Sequence, residues 1–292
     1  MRRSFVALVA SVATAAVALV AAVGDPAGAL PRVGVRYRDP VFPAVKLVND
    51  ITYGSAVDQT NTRVTLELDM YTPKGDTDTH RAAIVWVHGG GFSGGDKTSP
   101  ELVDEANQFA MKGYVNVSIN YRLSPTSCVG TITSQCIEGI IEAMQDAQTA
   151  VRFLRSKATT YGIDPTRIAI GGSSAGAITA LNVGYNASDP GPGSHQGFSS
   201  SVGAVQSLSG AAIGTTPGAD GAPALLFHGT ADPLVPYAWA KATVKAARAA
   251  GLVAVLVTWI GAGHVPYTDH RTEILDKTTG FFYRQMDLAN AR

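Results

Sequence analysis

The sequence predicts a doubly wound α/β domain, a mostly parallel eight-stranded sheet with helices on both faces. Two observations predict it. Short, continuous apolar runs alternate with stretches whose apolar residues recur at helical spacing. Glycine- and histidine-bearing polar segments fall directly after those runs, where open α/β sheets carry their ligand sites.

The elements follow in order. Residues 62–71 alternate strictly, with Val64, Leu66, Leu68 and Met70 on one face, as in an outer antiparallel strand. The runs 82–87, 114–119, 167–170, 202–208, 223–227 and 252–259 read as strands buried on both faces. Between them, helices are expected over 99–112, 138–158, 175–185, 237–250 and 268–288. The second of these carries Ile141, Met144, Ala147, Val151 and Leu154 at helical spacing.

The chain has 292 residues, 46% hydrophobic and 16% charged, enough apolar material for one large core. Its 23 basic and 23 acidic residues cancel, and no basic stripe marks a nucleic-acid partner. The first thirty residues stand apart. Arg2 and Arg3 precede an apolar run from Phe5 to Val23, and Ala27-Gly28-Ala29 supplies a small-x-small cleavage pattern. Residues 1–29 are therefore expected to be a secretory signal peptide, with residues 30–292 one secreted catalytic domain and no stable membrane insertion after cleavage, while the length of the apolar run leaves an uncleaved membrane anchor as the alternative. The Arg2-Arg3-Ser4-Phe5-Val6 string is similar to a twin-arginine export motif, so Sec and Tat routes both stay open. Only two cysteines occur, Cys128 and Cys136, eight positions apart. In an exported chain such a pair is expected to form one local disulfide.

Four strand ends carry the chemistry. The run Ile170-Gly171-Gly172-Ser173-Ser174-Ala175-Gly176 places glycines two before and two after Ser174, the pattern of a strand–turn–helix nucleophile elbow. A side chain at either glycine would meet neighbouring backbone in so tight a turn. The turn also holds the hydroxyl at the positive end of the next helix. The run His88-Gly89-Gly90-Gly91-Phe92 lets the backbone approach a ligand, and the Gly90, Gly91 and Ala175 amides are candidate donors to an oxyanion. His88 is expected to hold that loop. His228-Gly229-Thr230-Ala231-Asp232-Pro233 sets an acid just past a strand, and Gly261-Ala262-Gly263-His264 sets a histidine after the last one.

The order Ser174, Asp232, His264 is the one a nucleophile, acid and base take when built on successive strand ends. Among rivals, His228 is expected to close its own loop, and His195, His270, Asp269, Asp220 and His80 lack either the strand-end position or the order. No His-Glu-x-x-His, His-x-His or Cys-x-x-Cys spacing supports a metal, and no cofactor is called for. Phe92, Tyr121, Tyr237 and Tyr267 are candidate lining residues.

Taken together, His88–Phe92, Gly172-Ser173-Ser174-Ala175-Gly176, Gly229-Thr230-Ala231-Asp232 and Gly263-His264 resemble the α/β-hydrolase carboxylesterases and lipases, in particular the hormone-sensitive-lipase-like and carboxylesterase type B groups. Further scaffold segments, such as Asn120-Tyr121-Arg122 and Gly162-Ile163-Asp164-Pro165, extend the resemblance over most of residues 45–268. It implies hydrolysis of carboxylic esters through an acyl-enzyme. An amidase, formamidase or exopeptidase on the same scaffold stays open, as does a non-catalytic binding protein. Two departures matter. Position 173 is usually acidic in those groups and is Ser here, and the segment 209–222, where a helical lid is often inserted, is short. The resemblance therefore implies an open site that admits an ester with a bulky or polymeric partner group.

Overall fold

The computed structural model describes residues 34–189 and 191–291, so the expected signal peptide lies outside the described residues. Eight strands form one sheet in the order β1-β2-β4-β3-β5-β6-β7-β8. Strands β1 (Val45–Val57), β2 (Arg63–Pro73) and β4 (Val115–Ile119) pair antiparallel in sequence. From β4 onward, through β3 (Arg81–Val87), β5 (Ile163–Ser173), β6 (Ala204–Leu208), β7 (Ala224–Gly229) and β8 (Ala254–Trp259), all pairings are parallel. This is the α/β-hydrolase architecture.

The central strand shows why. In β3, Ala83, Val85 and Val87 point into one core cluster, and Ala82, Ile84 and Trp86 into the other. The first cluster is closed by α2 (Ser134–Ser156), α4 (Ala175–Tyr185) and α5 (Tyr237–Ala249), through Ala147, Val151, Leu181 and Val244 among others. The second is closed by α1 (Pro100–Met111) and α6 (Tyr267–Gln285), through Leu102, Phe109, Ile274 and Phe282. A strand sandwiched this way cannot alternate polar and apolar residues, which is why it reads as an unbroken apolar run. Each Val, Leu, Ile or Phe buried there contributes about 1.5–3 kcal/mol.

Three expectations change. The outermost antiparallel strand is β1, which has no signature in sequence because most of its side chains face solvent. Strand β8 bonds only to β7, and as the far edge it is half exposed, not buried on both faces. On α2 the inward residue is Ile140, fully packed, while Ile141 is 43% exposed. The inward stripe runs through Ile140, Ala143, Ala147, Ala150 and Leu154. The short helix α3 (Ala158–Tyr161) completes the chain's turn into β5.

Candidate active site

Ser174, Asp232, His264 and the glycine loop at 89–91 each follow the carboxyl end of a parallel strand. Ser174 joins β5 to α4 with φ 53° and ψ −118°, a left-handed conformation that only a constrained turn maintains. The turn is held from both sides, by Ser174 N–H on the Leu208 carbonyl (2.8 Å) and by Ile178 N–H on the Ser174 carbonyl (3.0 Å). A Cβ on Gly176 would sit 1.9 Å from the Val87 carbonyl oxygen, and one on Gly172 would sit 2.4 Å from the same atom. Both positions must therefore be glycine.

The structure brings the three residues of the expected triad together. Ser174 Oγ lies 2.7 Å from His264 Nε2, and His264 Nδ1 lies 2.8 Å from Asp232 Oδ2. The carboxylate has further partners. Asp232 Oδ1 accepts the Leu234 and Val235 amides at 2.9 and 3.0 Å, and His228 Nε2 lies 3.2 Å from Oδ2. Burial opposes charge on Asp232, but the His228 and His264 rings and the two amides outweigh it and hold the carboxyl well below the usual carboxylate range. Asp232 is thus an anion whenever the site can work. The loop that carries His264 is fixed by Val265 N–H on Ser209 Oγ at 2.9 Å.

The glycine loop after β3 lies opposite. Gly90, Gly91, Ser174 and His264 line one cleft of about 400 Å³, which Ser173 and Glu101 also border. The Gly90 and Gly91 amides give no hydrogen bond to a backbone carbonyl among the described residues. Ala175 is the first residue of α4, where a helix cannot satisfy its own N–H. His88 is turned away from the chemistry. Its Nδ1 donates to the Gly89 carbonyl at 2.6 Å, its ring stacks on Tyr121 at 4.2 Å, and burial pushes its pKa down.

Four neighbours of the site escape the sequence reading, His228 through its contact with Asp232. Ser173 donates to Glu101 Oε1 at 2.7 Å, so an acid does stand beside the nucleophile, supplied by the first turn of α1. One turn on, Glu105 accepts from Gln206 Nε2 at 3.3 Å, while Gln206 Oε1 accepts the Gly172 amide at 3.1 Å. Burial, with Glu101 and Asp104 nearby, raises Glu105 well above the usual carboxyl value. His228 does close its loop, on the Val235 carbonyl at 2.8 Å, and touches Asp232 as well. Its four-residue spacing from Asp232 was the one available signal.

The remaining candidates lie apart from Ser174. His195 bonds the Tyr53 carbonyl at 3.0 Å, and His270 stacks flat on Trp259 at 4.0 Å instead of standing free in solvent. Of the four aromatic candidates, Phe92 lines a cavity at the site. Tyr121 is packed under His88, Tyr237 pairs with Thr258, and Tyr267 donates to Asp104. Among the described residues no group of three or more His, Cys, Asp or Glu is gathered as a metal site would need.

Cys128 and Cys136 are joined by a disulfide, with their Cα atoms 5.2 Å apart. It ties the loop 124–133 to the first turn of α2. The loop is also pinned to the glycine segment, since the Cys128 and Ser124 amides donate to the Gly91 and Phe92 carbonyls at 2.9 and 2.7 Å.

A doubly wound sheet carrying a strained serine, a histidine and a buried acid at three strand ends defines the α/β-hydrolase class. Comparison with known proteins places the chain further. The BD-FAE family matches residues 68–210, and the TAP-like protein family matches residues 204–285. Acetylcholinesterase of Gallus gallus is 33% identical over 125 residues, 43% of this chain and 16% of that protein. Arylacetamide deacetylase-like 2 of Homo sapiens is 30% identical over 151 residues, 50% of this chain and 32% of that protein. The chain thus spans a third or less of the length of these curated relatives. Among solved structures, Thermogutta terrifontis esterase 2 phosphonylated by cyclosarin superposes with a TM-score of 0.65 at 24% identity, over 83% of this chain and 95% of that one. The two matched families and the relatives named as esterases support an α/β-hydrolase carboxylesterase family, and the solved structures support the fold.

Proposed function

We propose that this protein is an exported serine hydrolase that cleaves carboxylic esters through an acyl-enzyme. The observation that carries the reading is the continuous run from Asp232 Oδ2 through His264 to Ser174 Oγ, with hydrogen bonds of 2.8 and 2.7 Å. Relatives named as esterases and hydrolases, among them phenmedipham hydrolase of Pseudarthrobacter oxydans at 34% identity over 115 residues, support the substrate class.

In this reading His264 Nε2 takes the Ser174 proton as Oγ attacks the acyl carbon. Asp232 fixes the imidazole with Nδ1–H toward it and stabilises the imidazolium. The Gly90, Gly91 and Ala175 amides receive the oxyanion, and each such donor is worth about 10²–10³ in rate. Collapse of the tetrahedral species breaks the bond to the leaving oxygen, which takes the proton from His264. Water, deprotonated by the same ring, then releases the acid and restores Ser174.

The segment between β6 and β7 carries no helix, which supports an open cleft and an ester whose alcohol part is bulky or polymeric. Residues 1–29 act in this proposal as the export signal, removed to leave 30–292 as one catalytic domain.

The test is initial rates on p-nitrophenyl esters from acetate to palmitate, for the wild type and Ser174→Ala, with fluorophosphonate labelling alongside. The expected result is wild-type turnover and labelling, with a loss of at least about 10⁴ in the variant. A variant as fast as the wild type removes Ser174 as nucleophile. Amino-terminal sequencing of protein recovered from the medium is expected to begin near Leu30, and a start at Met1 would remove the export reading.

A further inference from the structure

We infer that the acyl group of the substrate enters a second, apolar pocket beside the cleft, and that the Cys128–Cys136 disulfide forms a wall that limits its length. The inference rests on the serine-ester reading above and adds the substrate's size class.

The pocket has a volume of about 240 Å³ and is lined by Phe92, Ile132, Ile140, Ile178, Leu234 and Trp239, with both half-cystines in its wall. Ile213, Val235, one glycine and two prolines complete the lining, so no charged or hydroxyl side chain faces it. Such a lining favours hydrocarbon over a charged group, for which it offers no ionic side-chain partner.

Its position relative to the reacting atoms assigns it to the acyl side. Leu234 lines both this pocket and the cleft at Ser174. Phe92 follows directly on Gly91, and Ile178 is one helical turn beyond Ser174, bonded to its carbonyl. The pocket therefore opens within reach of a carbon held on Ser174 Oγ. His264, in contrast, lines the cleft and not the pocket. The leaving oxygen must meet His264 Nε2 to receive its proton, so the alcohol part lies in the cleft. The acyl chain is left with the apolar side.

Capacity follows from volume. An apolar cavity of roughly 150 Å³ accommodates benzene, so about 240 Å³ accommodates one ring with a short tail, or a straight chain of roughly six to eight carbons. Each methylene buried on the way should raise kcat/KM by roughly four-fold, and the gain should stop where the chain meets the wall.

The experiment measures kcat/KM for p-nitrophenyl esters from acetate to palmitate on the wild type, Trp239→Ala and Ile132→Trp. Both altered side chains are partly exposed, at 40% and 44%, so both variants are expected to fold. The wild type should peak between about butyrate and octanoate and fall at least ten-fold by palmitate. Trp239→Ala should move the peak to longer chains, and Ile132→Trp to shorter ones. Fluorophosphonate labelling of Ser174 separates the two failures. If Ser174 labels and esters turn over, but all three profiles coincide or the wild type is flat from acetate to palmitate, the pocket assignment is wrong and the serine-ester reading stands. If no ester turns over and Ser174 does not label, both fall.

Discussion

The two sides of the cleft are built on opposite principles. On the elbow side, Ser174 is backed by a buried polar scaffold: Ser173 on Glu101, Gly172 on Gln206, and Gln206 on Glu105. On the other side stand the disulfide loop and the segment 233–239, which present Val129, Ile132, Leu234 and Trp239, all between 40% and 54% exposed. The first side fixes directions, because hydrogen bonds between buried groups tolerate little displacement. The second offers shape without direction, as suits a surface that must accept a variable hydrocarbon. Position and adaptability are thus separated in space.

Substitutions can break or sharpen this contrast. The largest effect is expected at Gly176→Ala, where the added methyl would meet the Val87 and His88 carbonyls at 1.9 and 2.7 Å. Both are backbone atoms, one at the end of β3 and the other at the start of the glycine loop, so neither yields as a flexible side chain would. The variant is expected to be insoluble, or at least about 10³-fold less active. A protein that melts within 2 °C of the wild type at full rate would show that the elbow is looser than its geometry demands.

A middling effect is expected on the other side. Replacing both Cys128 and Cys136 by Ala removes one short cross-link, worth about 2–3 kcal/mol. A melting temperature lower by roughly 5–10 °C should result, with the elbow intact and Ser174 still reactive toward a fluorophosphonate. An unchanged melting curve would mean that the loop is held by its bonds to Gly91 and Phe92 alone.

The smallest effect concerns Glu105. Its folded-state pKa is raised, by burial first and by Glu101 and Asp104 next, so the folded chain keeps a proton that the unfolded chain releases near pH 4.3. Stability therefore falls as pH rises from that value toward the folded one. Glu105→Gln cannot ionise and should not share the decline. The two proteins are expected to melt together near pH 4, the variant gaining a few degrees by pH 8. A gap that does not change with pH would remove Glu105 as a neutral, buried acid.

Much of the fold was legible because the parallel strands are packed on both faces and leave continuous apolar runs. Ser174, Asp232 and His264 were legible for another reason: each stands directly after such a run, in an order that chain topology restricts. Strand β1 was not, since most of its side chains face solvent and too few are buried to impose a period on its residues. Nor was the elbow's polar backing. Glu101 lies 72 positions from Ser173, and Glu105 lies 101 from Gln206, on a helix whose other residues look like ordinary amphipathic pattern. The missing acid at position 173 was read as a departure, whereas the fold supplies one from a neighbouring element.

One oxygen of Asp232 faces two imidazoles. His264 sits on a loop fastened through Val265 and borders the cleft, while His228 is sealed in the interior. Because the Leu234 and Val235 amides and His228 also hold the carboxylate, its place does not depend on His264 alone. The dock is moored independently of the ring that faces the cleft.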